Sequence, residues 1–150
     1  DVDGVLTNGD LLISDSGELL RTMNVKDGFA MKYAIDNEYM ITIISGGTNE
    51  AVKERLVKLG INQVFLGSDN KIKELEKLAL DNNLKKEEIL VMGDDILDIP
   101  ILKNAGISCC PQDAVQEVKK ICDYVSFKKG GCGAVREIIE QVMKIQKKWI

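Results

Sequence analysis

The segment Asp1-Val2-Asp3-Gly4-Val5-Leu6-Thr7 sets two carboxylates one residue apart and follows them with a glycine. In an extended stretch the side chains of residues i and i+2 project to the same side, so Asp1 and Asp3 face one site while Gly4 lets the backbone turn away. Acids that close repel one another, which marks a bound cation or a shared proton. Read alone, the stretch equally suits an acidic turn of the kind that aspartate and glycine favour. A calcium loop of the EF-hand type is excluded, because Val5 and Leu6 stand where such a loop requires an acid or amide and then a glycine.

Outward from this segment the chain alternates between strand and helix patterns. Leu11-Leu12-Ile13, the turn Asp15-Ser16-Gly17 and the run from Leu19 to Val25 read as two strands of a hairpin arm over residues 9–25. Asp27 suits the N-cap of a helix carrying Ala30, Met31, Ala34 and Ile35, and the strand Met40-Ile41-Thr42-Ile43-Ile44 ends at Ser45-Gly46-Gly47. A helix from about Asn49 sets Val52, Leu56 and Leu59 on one face and stops at Gly60, ahead of the strand Val64-Phe65-Leu66. Ser68 or Asp69 then caps a helix with the apolar stripe Ile72, Leu75, Leu78 and Ala79. The strand Ile89-Leu90-Val91-Met92 runs into Gly93-Asp94-Asp95, and a short helix through Ile99, Leu102 and Ala105 ends at Gly106. A strand at Ile107–Cys110, a helix over 114–122, the strand Tyr124-Val125-Ser126 and a helix over 135–146 complete the chain.

This alternation predicts parallel pairing with right-handed crossovers, hence an α/β fold with an open three-layer parallel sheet. Such sheets bind ligands at the carboxyl ends of their strands. Asp1 and Asp3, Ser45, Lys71, and Asp94 with Asp95 all fall at or just beyond such ends, so four strand ends deliver polar groups to one crevice. A central strand supplies several apolar residues ahead of its site acids, so the functional protein is expected to begin upstream of Asp1.

With 150 residues and 45% hydrophobic content, the chain suits one domain over residues 1–150, with the arm at 9–25 and a C-terminal helix and tail at about 134–150. Its net charge of -4 and scattered lysines argue against a nucleic-acid surface and leave small molecules or other subunits as partners. No apolar run approaches the roughly 20 residues of a membrane span, and no signal segment opens the chain, so a cytoplasmic protein without membrane contact is expected. Cys109, Cys110, Cys122 and Cys132 show no C-x-x-C spacing and are expected to be buried reduced thiols. The chain has no histidine, which removes every Ser-His or Cys-His arrangement and leaves carboxylates, lysine, hydroxyls or a metal for any chemistry.

Asp1, Asp3 and Asp94, with Asp98 one helical turn beyond, form a hard-oxygen set of the kind Mg²⁺ accepts. Ser45 and Lys71 supply the hydroxyl donor and positive charge that a phosphate requires. Asp1 is then the candidate nucleophile, attacking phosphorus to form an aspartyl-phosphate, and Asp3 the candidate general acid and base. Mg²⁺ and Lys71 stabilise the transferring group. Each element taken singly also has a plain reading: Ser45-Gly46-Gly47 as a strand-to-helix turn, Lys71 as a solvent-facing lysine, Gly93-Asp94-Asp95 as an acidic turn.

In order and over nearly the whole chain, Asp1-x-Asp3-Gly4-x-x-Thr7, Ser45-Gly46, Lys71 and Gly93-Asp94-Asp95-x-x-Asp98 resemble the four motifs of the haloacid dehalogenase-like phosphatases. The resemblance implies that Asp1 is nucleophile and Mg²⁺ ligand, that Asp3 is acid/base and a ligand through its backbone carbonyl, and that Asp94 is the third protein ligand. Ser45 and Lys71 would hold the phosphoryl group, and Asp95 and Asp98 would shape the metal's water ligands. Asn24-Val25-Lys26-Asp27-Gly28, Ala51-Val52-x-x-Arg55, Gly106-Ile107-Ser108, Asp113-Ala114-Val115-x-Glu117-Val118 and Gly130-Gly131-x-Gly133-Ala134-Val135-Arg136-Glu137 are similar to the 3-deoxy-D-manno-octulosonate 8-phosphate phosphatases, which make a sugar of bacterial lipopolysaccharide.

This finer resemblance implies that Asp3, Asn24, Val25, Lys26, Asp27, Gly28, Lys32, Gly46, Arg55 and Lys71 contact the sugar phosphate. Gly47 and Cys132 stand where many members carry arginine, which removes two cations able to pair with a substrate carboxylate. With room only for a hairpin and one helix between Asp3 and Ser45, no cap domain is expected. The resemblance implies a homotetramer built through the arm, with residues 128–150 of a partner shielding the site. Alternatives are a 2-keto-3-deoxynononic acid 9-phosphate phosphatase, a non-catalytic phosphatase-like scaffold of sugar-nucleotide synthesis, and a receiver domain. The early Asp-x-Asp-Gly tells against the last.

Overall fold

The computed structural model describes residues 1–150. After the first loop, β1 (Leu12–Ile13) and β2 (Leu19–Leu20) pair antiparallel, with Leu12 opposite Leu20 and Ile13 opposite Leu19. The paired part of the arm is shorter than the expected 9–25, because the chain beyond Leu20 is drawn back to the body by Arg21, whose guanidinium binds Asp3. Five parallel strands follow: β3 (Thr42–Ile44), β4 (Gln63–Phe65), β5 (Leu90–Met92), β6 (Ile107–Cys110) and β7 (Tyr124–Val125). They form two blocks where one continuous ladder was expected. β3 pairs with β4 (Ile43 opposite Val64), β6 lies between β5 and β7, and β3 and β5 share no ladder. The slot between β3 and β5 is apolar, lined by Val5, Leu6, Ile43, Leu90 and Met92, and opens onto Asp1.

The helices are α1 (Val25–Asp36), α2 (Glu50–Lys58), α3 (Lys71–Asp81), α4 (Ile99–Lys103), α5 (Gln116–Lys119) and α6 (Ala134–Ile145). Met31, Val52 and Leu56 from α1 and α2, with Val135 and Ile139 from α6, pack around Val2, Leu6 and Ile43 on one face. Leu75 of α3 and Ile101 of α4 cover Ile44, Phe65 and Val91 on the other, and a third cluster joins Leu102 and Val118 to Cys110. Helices on both faces of parallel strands make the expected three layers. Full burial of one such side chain, as at Leu56, contributes about 1.5–3 kcal/mol.

The caps differ from those expected. Asn24, and not Asp27, caps α1, its Oδ1 accepting from the Lys26 N–H at 2.8 Å. Asp27 is buried and accepts from the Arg136 N–H at 2.7 Å, so it caps the distant α6, whose own N-cap is Gly133 and has no side chain to offer. Asn70, and not Ser68 or Asp69, caps α3, its Oδ1 accepting from the Lys73 N–H at 3.3 Å. The helix expected over 114–122 contracts to α5, since the Val115 N–H turns to the Asp94 carbonyl.

All four cysteines are free: Cys109 and Cys110 are buried, Cys122 is half-buried, and Cys132 is exposed where a buried thiol was expected. Residues 128–150 pack on this chain itself. The Gly131 N–H donates to the Val5 carbonyl at 3.0 Å, and Trp149 meets Phe29 and Tyr33 edge-on. The segment expected to shield a partner's site is thus engaged with its own α1 and first loop. No helix is long and apolar enough to cross a membrane.

Candidate active site

The carboxyl ends of β3, β4 and β5 and the turn at Asp1–Thr7, where a fourth strand end was expected, meet in one crevice lined by Asp1, Asp3, Ser45, Lys71, Asp94 and Asp98 among others. Lys71, the first residue of α3, sets its ammonium 3.0 Å from Asp1 Oδ1 and 2.6 Å from Asp98 Oδ1. Asp98 is buried, and its Oδ2 accepts from the N–H groups of Asp94 and Asp95 at 3.0 and 3.3 Å. Burial alone would raise the Asp98 pKa, but the hydrogen bond and charge of Lys71 outweigh it and hold the carboxyl below its ordinary range. Asp94 has no such partner. Burial first, then Asp98 and Asp95, push it up to about 6.

Two glycines make this geometry possible. Gly4 sits at φ +87°, where a Cβ would collide with the Asp94 carboxylate, and a Cβ at Gly93 would collide with Asp98. Carboxylate oxygens of Asp1, Asp94 and Asp98 lie within 4.8 Å of one another, and Asp94 Oδ1 is buried without a hydrogen-bond partner. Three clustered hard donors, one of them unpaired, fit a divalent cation such as Mg²⁺. Both oxygens of Asp98 are already occupied by Lys71 and the loop amides, so its carboxylate chiefly orients its neighbours.

Asp3 faces the other wall of the crevice. Arg21 grips it with both arms of the guanidinium, Nε to Oδ1 at 2.7 Å and Nη2 to Oδ2 at 2.9 Å, and the Thr7 hydroxyl donates to Oδ1 at 3.2 Å. Ser45 is buried at the end of β3, and its Oγ accepts from the Gly47 N–H at 3.3 Å. That bond orients the hydroxyl, leaving its proton to be donated. The crevice therefore holds a clustered acid set, one lysine and the hydroxyls of Ser45 and Ser68.

Residues 59–139 match the family described as haloacid dehalogenase-like hydrolase. The chain belongs to the haloacid dehalogenase-like hydrolases. It is 33% identical over 148 residues to the 3-deoxy-D-manno-octulosonate 8-phosphate phosphatase of Escherichia coli (strain K12), spanning 99% of this chain and 79% of that protein. The crystal structure of the phosphatase of that name from Yersinia pestis superposes with a TM-score of 0.95 at 31% identity, covering 98% of this chain and 80% of that one. The Moraxella catarrhalis phosphatase, solved with a magnesium ion, a phosphate ion and a KDO molecule, gives a TM-score of 0.95 at 28% identity, covering 99% and 85%.

In this haloacid dehalogenase-like hydrolase Gly46 and Asp95 also line the crevice, whereas Asn24, Val25, Lys26, Asp27, Gly28, Lys32 and Arg55 lie outside its lining. Asn24 caps α1 and donates through Nδ2 to the Gly131 carbonyl at 3.3 Å, and Val25 and Lys26 are exposed. Asp27 is buried under α6, Gly28 lies against the Arg55 guanidinium, and Lys32 pairs with Asp36 on the open face of α1. Asp95 caps the 3₁₀ turn Ile96–Asp98 through the Ile96 N–H at 2.7 Å, and Gly46 lines the crevice. Arg21 was not anticipated. A charged residue at the end of an exposed arm reads as a solvated side chain, and no local pattern marks its partner 18 residues away.

Proposed function

We propose that this hydrolase is a Mg²⁺-dependent phosphatase that releases phosphate from 3-deoxy-D-manno-octulosonate 8-phosphate, and that residues 1–150 act as one catalytic domain. The convergence of Asp1, Ser45, Lys71 and Asp94 in one crevice carries this reading, supported by likeness over 99% of the chain to phosphatases of that specificity. Both polar contacts of Asp1, from Lys71 and from the Val2 N–H at 2.7 Å, fall on Oδ1, which leaves Oδ2 to attack phosphorus and form the aspartyl-phosphate. Asp3 protonates the departing sugar oxygen and then takes a proton from the water that cleaves the acyl phosphate. Ser45 donates its hydroxyl proton to a phosphoryl oxygen, and Lys71 holds the negative charge and Asp1 in place. Asp1, Asp94 and the Asp3 carbonyl would hold the Mg²⁺, which when bound would supply charge neutralisation for the phosphoryl group.

The arm presents Leu12 and Ile13 at 68% and 69% exposure, with Leu19 and Leu20 beside them. Such an apolar hairpin with free edges supports a homotetramer assembled through it. The reaction belongs in the cytoplasm, in lipopolysaccharide sugar synthesis. Phosphate release from a panel of sugar phosphates, with and without Mg²⁺ and beside Asp1→Asn, tests the assignment. The expected result is Mg²⁺-dependent release from the 3-deoxy-ulosonate ester, lost in Asp1→Asn. Activity surviving that substitution removes Asp1 as nucleophile, and no release from any ulosonate ester removes the substrate.

A further inference from the structure

The crevice lining holds six acids (Asp1, Asp3, Asp69, Asp94, Asp95 and Asp98) against one cation, Lys71. The Lys71 ammonium is already shared between Asp1 and Asp98 and is claimed by the phosphoryl group. A substrate that carries a carboxylate in addition to its phosphate needs a second cation. Gly47 offers no side chain at the mouth, but the cleft beside it, bounded by Asp3, Ser45 and Gly47, is lined by Arg21. The position of a Cβ on Gly47 lies 3.8 Å from Arg21 Nη2, so a side chain at residue 47 would start in contact with the guanidinium.

We infer that Arg21 is the carboxylate-recognition residue of this phosphatase, a specificity determinant supplied by the hairpin arm. The inference rests on the reading of the substrate as a 3-deoxy-ulosonate phosphate. Of the five N–H donors of a guanidinium, Arg21 spends two on Asp3 and one on the Leu19 carbonyl, leaving one each on Nη1 and Nη2. The planar fork that grips the Asp3 carboxylate matches a substrate carboxylate equally well. No side chain at Gly47 stands between the crevice and Arg21 Nη2. Arg21 and an arginine at position 47 are therefore alternative sources of one charge.

The test compares kcat/KM for 3-deoxy-D-manno-octulosonate 8-phosphate with that for ribose 5-phosphate, which lacks the carboxylate, in Mg²⁺-loaded enzyme. Arg21→Ala is expected to lower the preference for the acid ester by about tenfold or more, mainly through KM. Arg21→Lys recovers part of it. In Arg21→Ala/Gly47→Arg the preference returns, because the backbone at Gly47 has ordinary contact distances for a side chain. Should Arg21→Ala not fold, Arg21→Gln gives the same ratio with the side-chain length kept. Equal losses on both esters, with no rescue from position 47, overturn the inference and leave Arg21 a positioning residue for Asp3. A wild-type enzyme that hydrolyses both esters alike overturns the substrate reading and this inference together.

Discussion

The Lys71 ammonium lies 2.6 Å from Asp98 Oδ1, and both side chains are nearly enclosed, at 12% and 3% exposure. The pair spans 27 residues and ties the start of α3 to the acidic loop after β5. Removing one member of a buried pair strands the other charge, at about 3–5 kcal/mol. Lys71→Met is therefore expected to lower the urea midpoint sharply in chelated buffer, with part of the loss recovered in Mg²⁺. An unchanged midpoint would show that the pair is solvated.

Asp94 couples metal binding to pH. Its pKa of about 6 stands above the ordinary 3.8, chiefly through burial. A carboxyl raised in the folded state stays protonated there while the unfolded chain ionises, so metal-free stability falls as pH rises from about 4 to about 6 and then levels. Mg²⁺ requires the ionised form and binds the folded chain, so the rise in melting temperature it produces grows with pH through about 6, with proton release on binding. A Mg²⁺-induced rise in melting temperature equal at pH about 5 and about 7.5 contradicts this. EDTA abolishes phosphate release, and added Mg²⁺ restores it.

Asp27 carries a charge the fold disfavours. Burial raises its pKa despite the Arg136 and Gly133 amides, so the wild type loses stability as pH rises from the ordinary carboxyl value through the raised one. Asp27→Asn keeps an acceptor for α6 without that charge. Its stability relative to wild type should increase from acid to neutral pH, with the two converging at low pH. Asp27→Ala removes the cap and costs about 1 kcal/mol in urea melts.

The exposed leucines of the arm give a direct handle on assembly. Leu12→Asp with Leu20→Asp places charges at paired positions of the hairpin, and light scattering should then report a smaller species than wild type. An unchanged mass in the double variant rules the arm out as the interface.

Much of the site was legible because its signals are local. An apolar β-branched run followed by Ser45-Gly46 or Gly93-Asp94 marks a strand end, and strand ends of a parallel sheet share one edge, so the linear order alone predicts that Ser45, Lys71 and Asp94 meet beside Asp1. The helices over Glu50–Lys58 and Ala134–Ile145 follow from apolar periodicity in the same way. What the linear order left open were the partners of charged groups. Asp27 capping a helix 109 residues away, Arg21 gripping Asp3 and the division of the parallel strands into two blocks all depend on which distant groups folding brings within 3 Å or so. The layered α/β architecture and the chemical inventory of the crevice follow from the order of residues, since periodicity and turn residues act over a few positions. That the cation beside Gly47 comes from the arm emerges on folding, because a side chain's direction is settled by the charge it meets after burial, not by its neighbours in the chain.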